Sequence, residues 1–234
     1  MNVCILILLS AAAVSAQSPI TGEAAVNLPH AASFLVSPDG KNLSVASPEV
    51  DWNTGVRKNQ WRHLQGKFSF DPESASNVVW SADGQRVAFF RSEKGKTFLY
   101  AGSSTGAAEP VCELYTPNAY LAAAGNRISW SRDGKQIAFV GSQEAPPPVQ
   151  DPLVIDRIQY KTRTEFSDNR RSRVFVVDAK LGSRPKALTP DGRDAHSVAW
   201  GVGSEVIYLS NPDADGDANL NYDIYAVNVN SGEV

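Results

Sequence analysis

The chain has 234 residues and a formal net charge of −3, with 42% hydrophobic and 20% charged residues. This balance provides no basic surface for nucleic acid, so we expect no nucleic-acid partner. The hydrophobic content is sufficient for a packed core.

The amino-terminal segment, Cys4 to Gln17, is a short apolar run that ends in small residues. This pattern predicts a signal peptide at residues 1–16, cleaved after Ala16, and therefore a secreted or periplasmic protein. The run is short for a membrane-spanning helix, so we expect no stable membrane insertion, with a membrane anchor as the alternative. Cleavage removes one of the two cysteines and leaves Cys112, so the fold depends on packing rather than on a disulfide.

The rest of the sequence repeats one phrase, in which an Asp-Gly turn separates two apolar segments. The copies occupy residues 33–45, 78–89, 127–139 and, in a degenerate form, 198–208. Asp-Gly between alternating apolar runs predicts a β-hairpin, because glycine adopts the positive φ that the turn requires. One strand position is equivalent in all copies, and we assign it to Leu35, Trp80, Trp130 and Trp200.

Further strands are predicted after most copies, at residues 97–100, 174–178 and 223–227, with a short fourth strand at 185–189. Four antiparallel strands per unit, recurring at about 40–50 residues, are typical of a β-propeller blade. We therefore predict an all-β fold, a β-propeller with WD40-like or TolB-like repeats. Little helix is expected, because no long apolar stripe has helical periodicity.

The number of blades is small for a closed propeller. Residues 17–234 accommodate about four blades, whereas closure usually needs more. The last residues, 225–234, stop inside a turn that leads to a closing strand in the third copy. We therefore expect a partial propeller that belongs to a larger one of seven or eight blades. Association of the chain into a homo-oligomer is left open.

The third predicted blade contains an insertion at about residues 143–173, after the third copy of the phrase. It begins with a proline run and then gathers charged side chains of both signs. Loops on a rigid scaffold often carry binding residues, and arginine can hold a carboxylate or carbonyl by charge-assisted hydrogen bonds. The alternative is a structural ion network between blades or domains, since charge clusters are commonly structural. The candidate substrate-binding residues are Arg157, Tyr160, Arg163, Arg170 and Arg171.

One short segment matches a catalytic pattern. Gly102-Ser103-Ser104-Thr105-Gly106 is a literal Gly-x-Ser-x-Gly, which in hydrolases needs a strand before the serine and a helix after it. Pro110 follows closely and disfavours a helix. The segment also aligns with a turn of the third copy. We therefore assign no catalytic residue in this chain.

No metal-binding motif is evident. The three histidines lack the spacing of a zinc motif. Residues 213–221 are rich in Asp and Asn, but counted from Asp213 the sixth and twelfth positions of an EF-hand hold Ala218 and Ile224. A solvated turn is the favoured interpretation, with calcium binding of another geometry as the alternative. We predict no metal ligand and no cofactor.

Three further segments carry a family resemblance. The Trp-Ser-x-Asp-Gly phrase is shared with TolB-type propellers. Residues 156–161 and 168–178, with Asn221-Tyr222-Asp223-Ile224-Tyr225 after an acidic loop, resemble the amino-terminal propeller of secreted serine peptidases of the prolyl oligopeptidase family. The closest branch is the dipeptidyl-peptidase and acylaminoacyl-peptidase group. The resemblance covers nearly all of residues 17–234.

The resemblance implies a propeller that caps a carboxy-terminal α/β-hydrolase domain and filters peptide substrates by size. The catalytic Ser, Asp and His of that domain would lie beyond Val234, so we expect this chain alone to have no peptidase activity. The alternative is a stand-alone TolB-like propeller that binds protein partners. A third hypothesis, a lectin-like or calcium-binding propeller, depends on residues 213–221 alone.

Overall fold

A computed structural model describes residues 22, 31–68, 70–104, 106–116, 125–142, 152, 154–158, 160, 166–213, 216, 218–219 and 221–234. Within these residues, fourteen strands form four antiparallel sheets, each built from strands that are consecutive in sequence. The first sheet contains β1 (Ser33–Val36), β2 (Leu43–Asp51) and β3 (Val56–Gln65). The second contains β4 (Ala75–Trp80), β5 (Arg86–Glu93), β6 (Lys96–Ser103) and β7 (Ala108–Leu114). The third contains β8 (Ile128–Trp130), β9 (Gln136–Gly141), β10 (Arg173–Asp178) and β11 (Lys186–Ala187), and the fourth contains β12 (Ala195–Trp200), β13 (Glu205–Ser210) and β14 (Asp223–Asn228).

The further strands predicted at residues 97–100, 174–178 and 223–227 lie within β6, β10 and β14. The predicted fourth strand of the third repeat is shorter, because only Lys186–Ala187 pairs with β10. The second and third sheets have four strands, and the first and fourth have three in the part of the chain that the structure describes. The predicted signal peptide, residues 1–16, lies outside the described residues.

Each Asp-Gly turn is stabilised by the serine that precedes it. Ser81 donates from its hydroxyl to Asp83 at 2.6 Å, and the amide of Gly84 donates to the carbonyl of Ser81 at 2.9 Å. Gly84 has a φ of 69°, a left-handed conformation that favours glycine. The same bonds recur at the turns of Asp39 and Asp133. The serine hydroxyl and a turn amide lower the pKa of each of these carboxyls.

The pairing register corrects the residue that was assigned to the tryptophan position in the first copy. Trp80 pairs with Val87, Trp130 pairs with Ile137, and the corresponding pair in the first sheet is Val36 with Leu43. The assignment of Leu35 to the tryptophan position was therefore wrong by one residue. Because side chains alternate between the faces of a strand, Leu35 points to the opposite face from the position that tryptophan occupies elsewhere.

The second, third and fourth sheets pack face to face in sequence order, with their first strands side by side. β4 contacts β8, and β8 contacts β12. One core between the second and third sheets contains Phe90, Leu99 and Phe139. A second core between the third and fourth sheets contains Val174 and Tyr208. Sheets that stack in this way around adjacent inner strands are blades, and the prediction of an all-β propeller fold is confirmed.

Adjacent blades are also linked by polar contacts. The guanidinium of Arg86, in the second blade, donates to the carbonyls of Gly134 and Ala179 in the third. It lies 4.8 Å from the ring centre of Trp130. The indole N–H of Trp130 donates back to the carbonyl of Val79 at 3.2 Å. These contacts fix the position of the third blade against the second.

The antiparallel pairing places four of the connections at one end of the sheets. The β7–β8, β9–β10, β11–β12 and β13–β14 connections lie at the end opposite the Asp-Gly turns, which we call the loop end. The segment predicted as an insertion forms the β9–β10 connection and therefore lies at the loop end. No helix formed by the described residues is long and apolar enough to cross a membrane.

Candidate functional site

The insertion lies against the connections that precede β8 and β12. Among the described residues of the insertion, Arg157 is the most deeply buried cation, with a side chain that is 2% exposed. Its guanidinium donates from Nη1 to the carbonyl of Arg170 at 3.2 Å and from Nη2 to Oδ2 of Asp194 at 2.5 Å. Asp194 directly precedes β12, so this pair connects the third blade with the fourth.

Asp194 accepts several further hydrogen bonds. The amide of Ser172 donates to Oδ1 at 2.8 Å and its hydroxyl donates to the same oxygen at 3.1 Å. Arg171 donates from Nη1 to Oδ2 at 2.9 Å. Burial alone would raise the pKa of the Asp194 carboxyl, but Arg157, the Ser172 amide and Arg171 outweigh it and hold the pKa below its ordinary value. The carboxylate is therefore charged at neutral pH.

The described residues of the insertion form two arms, residues 152–160 and residues 166–172. A second ion pair holds the second arm. Arg170 donates from Nε to Asp168 at 2.8 Å and from Nη2 to the carbonyl of Thr116 at 2.8 Å. Thr116 belongs to the β7–β8 connection, so Arg170 ties the insertion to the second blade. Asn169, between Asp168 and Arg170 in the sequence, has a φ of 60°. Its side-chain amide donates to the carbonyl of Val154 at 2.8 Å. The two arms of the insertion are thus bonded to each other and to both neighbouring blades.

Four apolar side chains are exposed on the described part of the insertion, and Asp156 is exposed beside them. Val154, Ile158, Tyr160 and Phe166 are each more than half exposed, between 53% and 66%. Burial of Arg157 and Arg170 beside these exposed apolar side chains reverses the usual arrangement of a surface loop. An apolar surface on a firmly held loop is suited to contact with another protein or a peptide.

The structure brings four of the five predicted residues into one segment but places them differently. Arg157 and Arg170 are each 6% exposed and bonded within the fold, whereas Tyr160 is 57% exposed. Arg171 is partly exposed and bonds to Asp194. Arg163 lies outside the described residues. Their role in substrate binding stays a prediction.

The sequence analysis missed the acidic partner of these arginines. Asp194 stands in the segment Thr189-Pro190-Asp191-Gly192-Arg193-Asp194, whose composition indicates only a turn. Next to it, His196 is 5% exposed, and its Nε2 has no hydrogen-bond partner among the described residues. Burial lowers the pKa of His196 below its ordinary value, and Asp194 only partly opposes this.

Two serines have surroundings like those of a catalytic serine, Ser104 by its sequence and Ser44 by its contact with a histidine. Neither is placed to attack a substrate. Ser104 follows β6 and is followed by the strand β7, where a nucleophile elbow requires a helix. Its amide donates to the carbonyl of Gln85 at 2.8 Å, which continues the pairing of β6 with β5 beyond Ser103. A Ser–His contact that the sequence did not reveal joins Ser44 Oγ and His63 Nδ1 at 2.7 Å. Ser44 is fully buried between two strands, so it is closed to a substrate.

The Asp- and Asn-rich loop is held by hydrogen bonds among its own side chains. Asn211 donates to Asn219 at 2.6 Å, and Asn219 donates to Asp213 at 3.1 Å. Asp215 and Asp217 lie outside the described residues. Within those residues, no group of three or more His, Cys, Asp or Glu side chains could hold a metal ion. Calcium binding by this loop stays a hypothesis.

Comparison with known proteins identifies structural neighbours only. No protein-family model matches the chain, and no curated protein matches its sequence. An acylaminoacyl peptidase in complex with Z-Gly-Gly-Phe-chloromethyl ketone is similar with a TM-score of 0.56 and 15% identity, over 86% of this chain and 31% of the peptidase. The acylaminoacyl peptidase of Pyrococcus horikoshii gives a TM-score of 0.56 and 14% identity, over 87% of this chain and 31% of that one. TolB from Acinetobacter baumannii gives a TM-score of 0.45 and 17% identity, over 85% of this chain and 39% of TolB.

At these identities the likeness concerns the fold. It extends over most of this chain, but the chain spans only 31% of the length of each acylaminoacyl peptidase. The fold of this chain is thus similar to that of part of these two acylaminoacyl peptidases.

Proposed function

We propose that this chain is the propeller portion of a serine peptidase of the prolyl oligopeptidase family, of the dipeptidyl-peptidase or acylaminoacyl-peptidase type. The observation that carries the proposal is the fold likeness to two acylaminoacyl peptidases, which covers 86% and 87% of this chain but 31% of each peptidase. The family-like sequences at residues 156–161 and 168–178 add support that is independent of the fold.

In this proposal the loop end faces the substrate. The insertion is suited to that position, because its buried ion pairs hold it firmly while its apolar side chains stay exposed. A rigid loop on a propeller can exclude large substrates and position small ones at little cost in conformational entropy. Cleavage itself would be performed by a hydrolase domain, in which a serine attacks the peptide carbonyl and a histidine acts as base.

A serine-directed fluorophosphonate probe tests the proposal on the native protein. Antibodies raised against this chain should capture a polypeptide longer than 234 residues that reacts covalently with the probe and hydrolyses short acylated or dipeptidyl substrates. The recombinant chain, and its Ser104→Ala variant, should both stay unlabelled. Labelling of the recombinant chain that is lost in Ser104→Ala would contradict the proposal and place catalysis within the propeller.

The second candidate is a TolB-like propeller that binds protein partners and has no catalytic activity. The observation that favours it is the exposed apolar surface formed by Val154, Ile158, Tyr160 and Phe166. A native polypeptide that ends at Val234 and does not react with the probe would support this candidate and refute the peptidase.

We also propose that the protein is secreted or periplasmic. The mature protein should then begin at Gln17 on amino-terminal sequencing.

A further inference from the structure

The second, third and fourth blades each carry two stacked aromatic rings on their second and third strands. The cross-strand pairs are Phe89 with Tyr100, Phe139 with Phe175, and Tyr208 with Tyr225. In each blade the pair begins two residues beyond the partner of the conserved-position tryptophan, so the three pairs occupy the same register. Their ring centres are 5.5, 5.5 and 5.6 Å apart. The blades therefore repeat one aromatic surface.

In the second blade, a third ring extends this stack. Phe70, from the β3–β4 connection, lies with its ring centre 4.8 Å from that of Phe89 and an interplanar angle of 26°. Phe68 and Trp80 surround it, with ring centres 5.5 and 6.3 Å away. Stacked rings of this kind attract each other beyond the area that they bury. The protein itself thus shows which group an aromatic pair of this repeat accommodates.

The equivalent pair of the third blade borders a cavity of about 210 Å³ between the second and third blades. Its apolar and aromatic lining is formed by Leu114, Tyr115, Phe139, Phe175, Pro185 and Ala187, and Glu113 and Ser142 add polar groups. Phe90 meets Phe139 with its edge, at 6.5 Å between ring centres and an angle of 77°. An apolar cavity of about 150 Å³ can bind benzene. This cavity therefore has the volume for one substituted aromatic ring.

We infer that this cavity binds one aromatic ring, which stacks on Phe175 and extends the third blade's pair as Phe70 extends that of the second. Phe139 and Phe175 are only 1% and 4% exposed, so their side chains are already fixed and lose little conformational entropy on binding. The ring can belong to a small molecule or to the side chain of a peptide. Neither a hydrolase domain nor catalysis is needed, so this site can be tested apart from the proposed function.

Fluorine NMR of 4-fluorophenol, titrated with the chain, tests the site. The probe should bind with a dissociation constant on the order of 1 mM, as expected for a ligand of this size. Cyclohexanol, which has a similar size but no aromatic ring, should compete about fivefold more weakly than phenol. Absence of binding by any aromatic probe, or equal competition by cyclohexanol and phenol, would overturn the inference.

Two blocked amino acids distinguish the sources of the ring. N-acetylphenylalanine amide should displace 4-fluorophenol if the site accepts a peptide side chain, and N-acetylleucine amide should displace it less well. Displacement by phenol but not by N-acetylphenylalanine amide would support the site and assign it to a small molecule. Binding of N-acetylphenylalanine amide without binding of 4-fluorophenol would support the site and assign it to a peptide.

Ala187→Phe tests the position of the site. Ala187 pairs with Phe175 across β10 and β11, so its side chain lies on the same face of the sheet. A phenylalanine there supplies the ring from within the protein and should abolish binding of 4-fluorophenol. The melting temperature should not fall, because the added ring occupies a cavity. Ala187→Ser, which keeps the size of the side chain, and Ala199→Phe, at an exposed position of the fourth blade, should both retain binding.

Phe175→Leu tests the stacking without adding volume. It removes the ring but keeps an apolar side chain, so the roughly fivefold preference for phenol over cyclohexanol should disappear. Unchanged binding in a folded Ala187→Phe variant would overturn the inference, as would an unchanged preference in a folded Phe175→Leu variant.

Discussion

Arg157 and Asp194 are 37 residues apart in the sequence, yet their side chains meet in a buried ion pair at 2.5 Å. One belongs to the insertion of the third blade and the other directly precedes the first strand of the fourth. Both side chains are at most 6% exposed. The pair therefore joins the insertion to the fourth blade, and its loss should affect the stability of the whole domain.

Arg157→Met should lower the free energy of unfolding by about 3 kcal/mol, because it leaves the buried Asp194 carboxylate without its main partner. The measurement is urea denaturation followed by circular dichroism. Lys96→Met is the control, since it breaks an exposed pair with Glu113 and should change stability little. Equal losses in the two variants would show that Arg157 does not hold the blades together.

Arg86→Met should destabilise the domain by about 2 kcal/mol, because the carbonyls of Gly134 and Ala179 lose a charged donor. Unfolding can be followed by tryptophan fluorescence, since Trp130 lies beneath the guanidinium. Arg91→Met is the matched control on the same strand, because Arg91 pairs with the exposed Glu93. A similar loss in both variants would argue against a special role of Arg86 between blades.

The hairpins could be predicted from the sequence because their determinants are local. Ser81, Asp83 and Gly84 form the turn from within a few residues. Val36, and not Leu35, is equivalent to Trp80 and Trp130. The Ser-Pro-Asp-Gly turn of the first copy marks this position, whereas the apolar residues around it do not. The strand β3 was not predicted, since its sequence, VRKNQWRHLQ, lacks apolar alternation on this sheet edge.

The candidate site could be predicted only as a segment. Composition alone drew attention to the arginines of the insertion. The acidic partners of these arginines depend on how the β11–β12 connection packs against the insertion. No local sequence pattern predicts that packing. Asp191 and Asp194 stand close together in sequence, but one is exposed and the other buried. That difference separates a buried ion pair from an exposed one, and only the fold reveals it.

His196 should make stability depend on pH. Burial lowers its pKa in the folded protein below the ordinary value of 6.5, so the unfolded chain binds more protons as pH falls below about 6.5. The free energy of unfolding should therefore decrease from pH 7 towards pH 5. His196→Phe should flatten this part of the profile, whereas His63→Phe should retain it. An unchanged slope in His196→Phe would contradict the assignment.

Cys112 should be unreactive in the folded protein. Burial raises the pKa of its thiol to about 12, so only about one thiol in ten thousand is ionised at pH 8. In a Cys4→Ser background, a disulfide reagent such as dithionitrobenzoate should modify Cys112 only as fast as the domain opens. Ser92→Cys in the same blade, at an exposed position, should react within seconds, and urea should abolish the difference. Rapid reaction of Cys112 without denaturant would show that the core between the second and third blades is open to solvent, contrary to the packing of Leu99 and Phe139 around it.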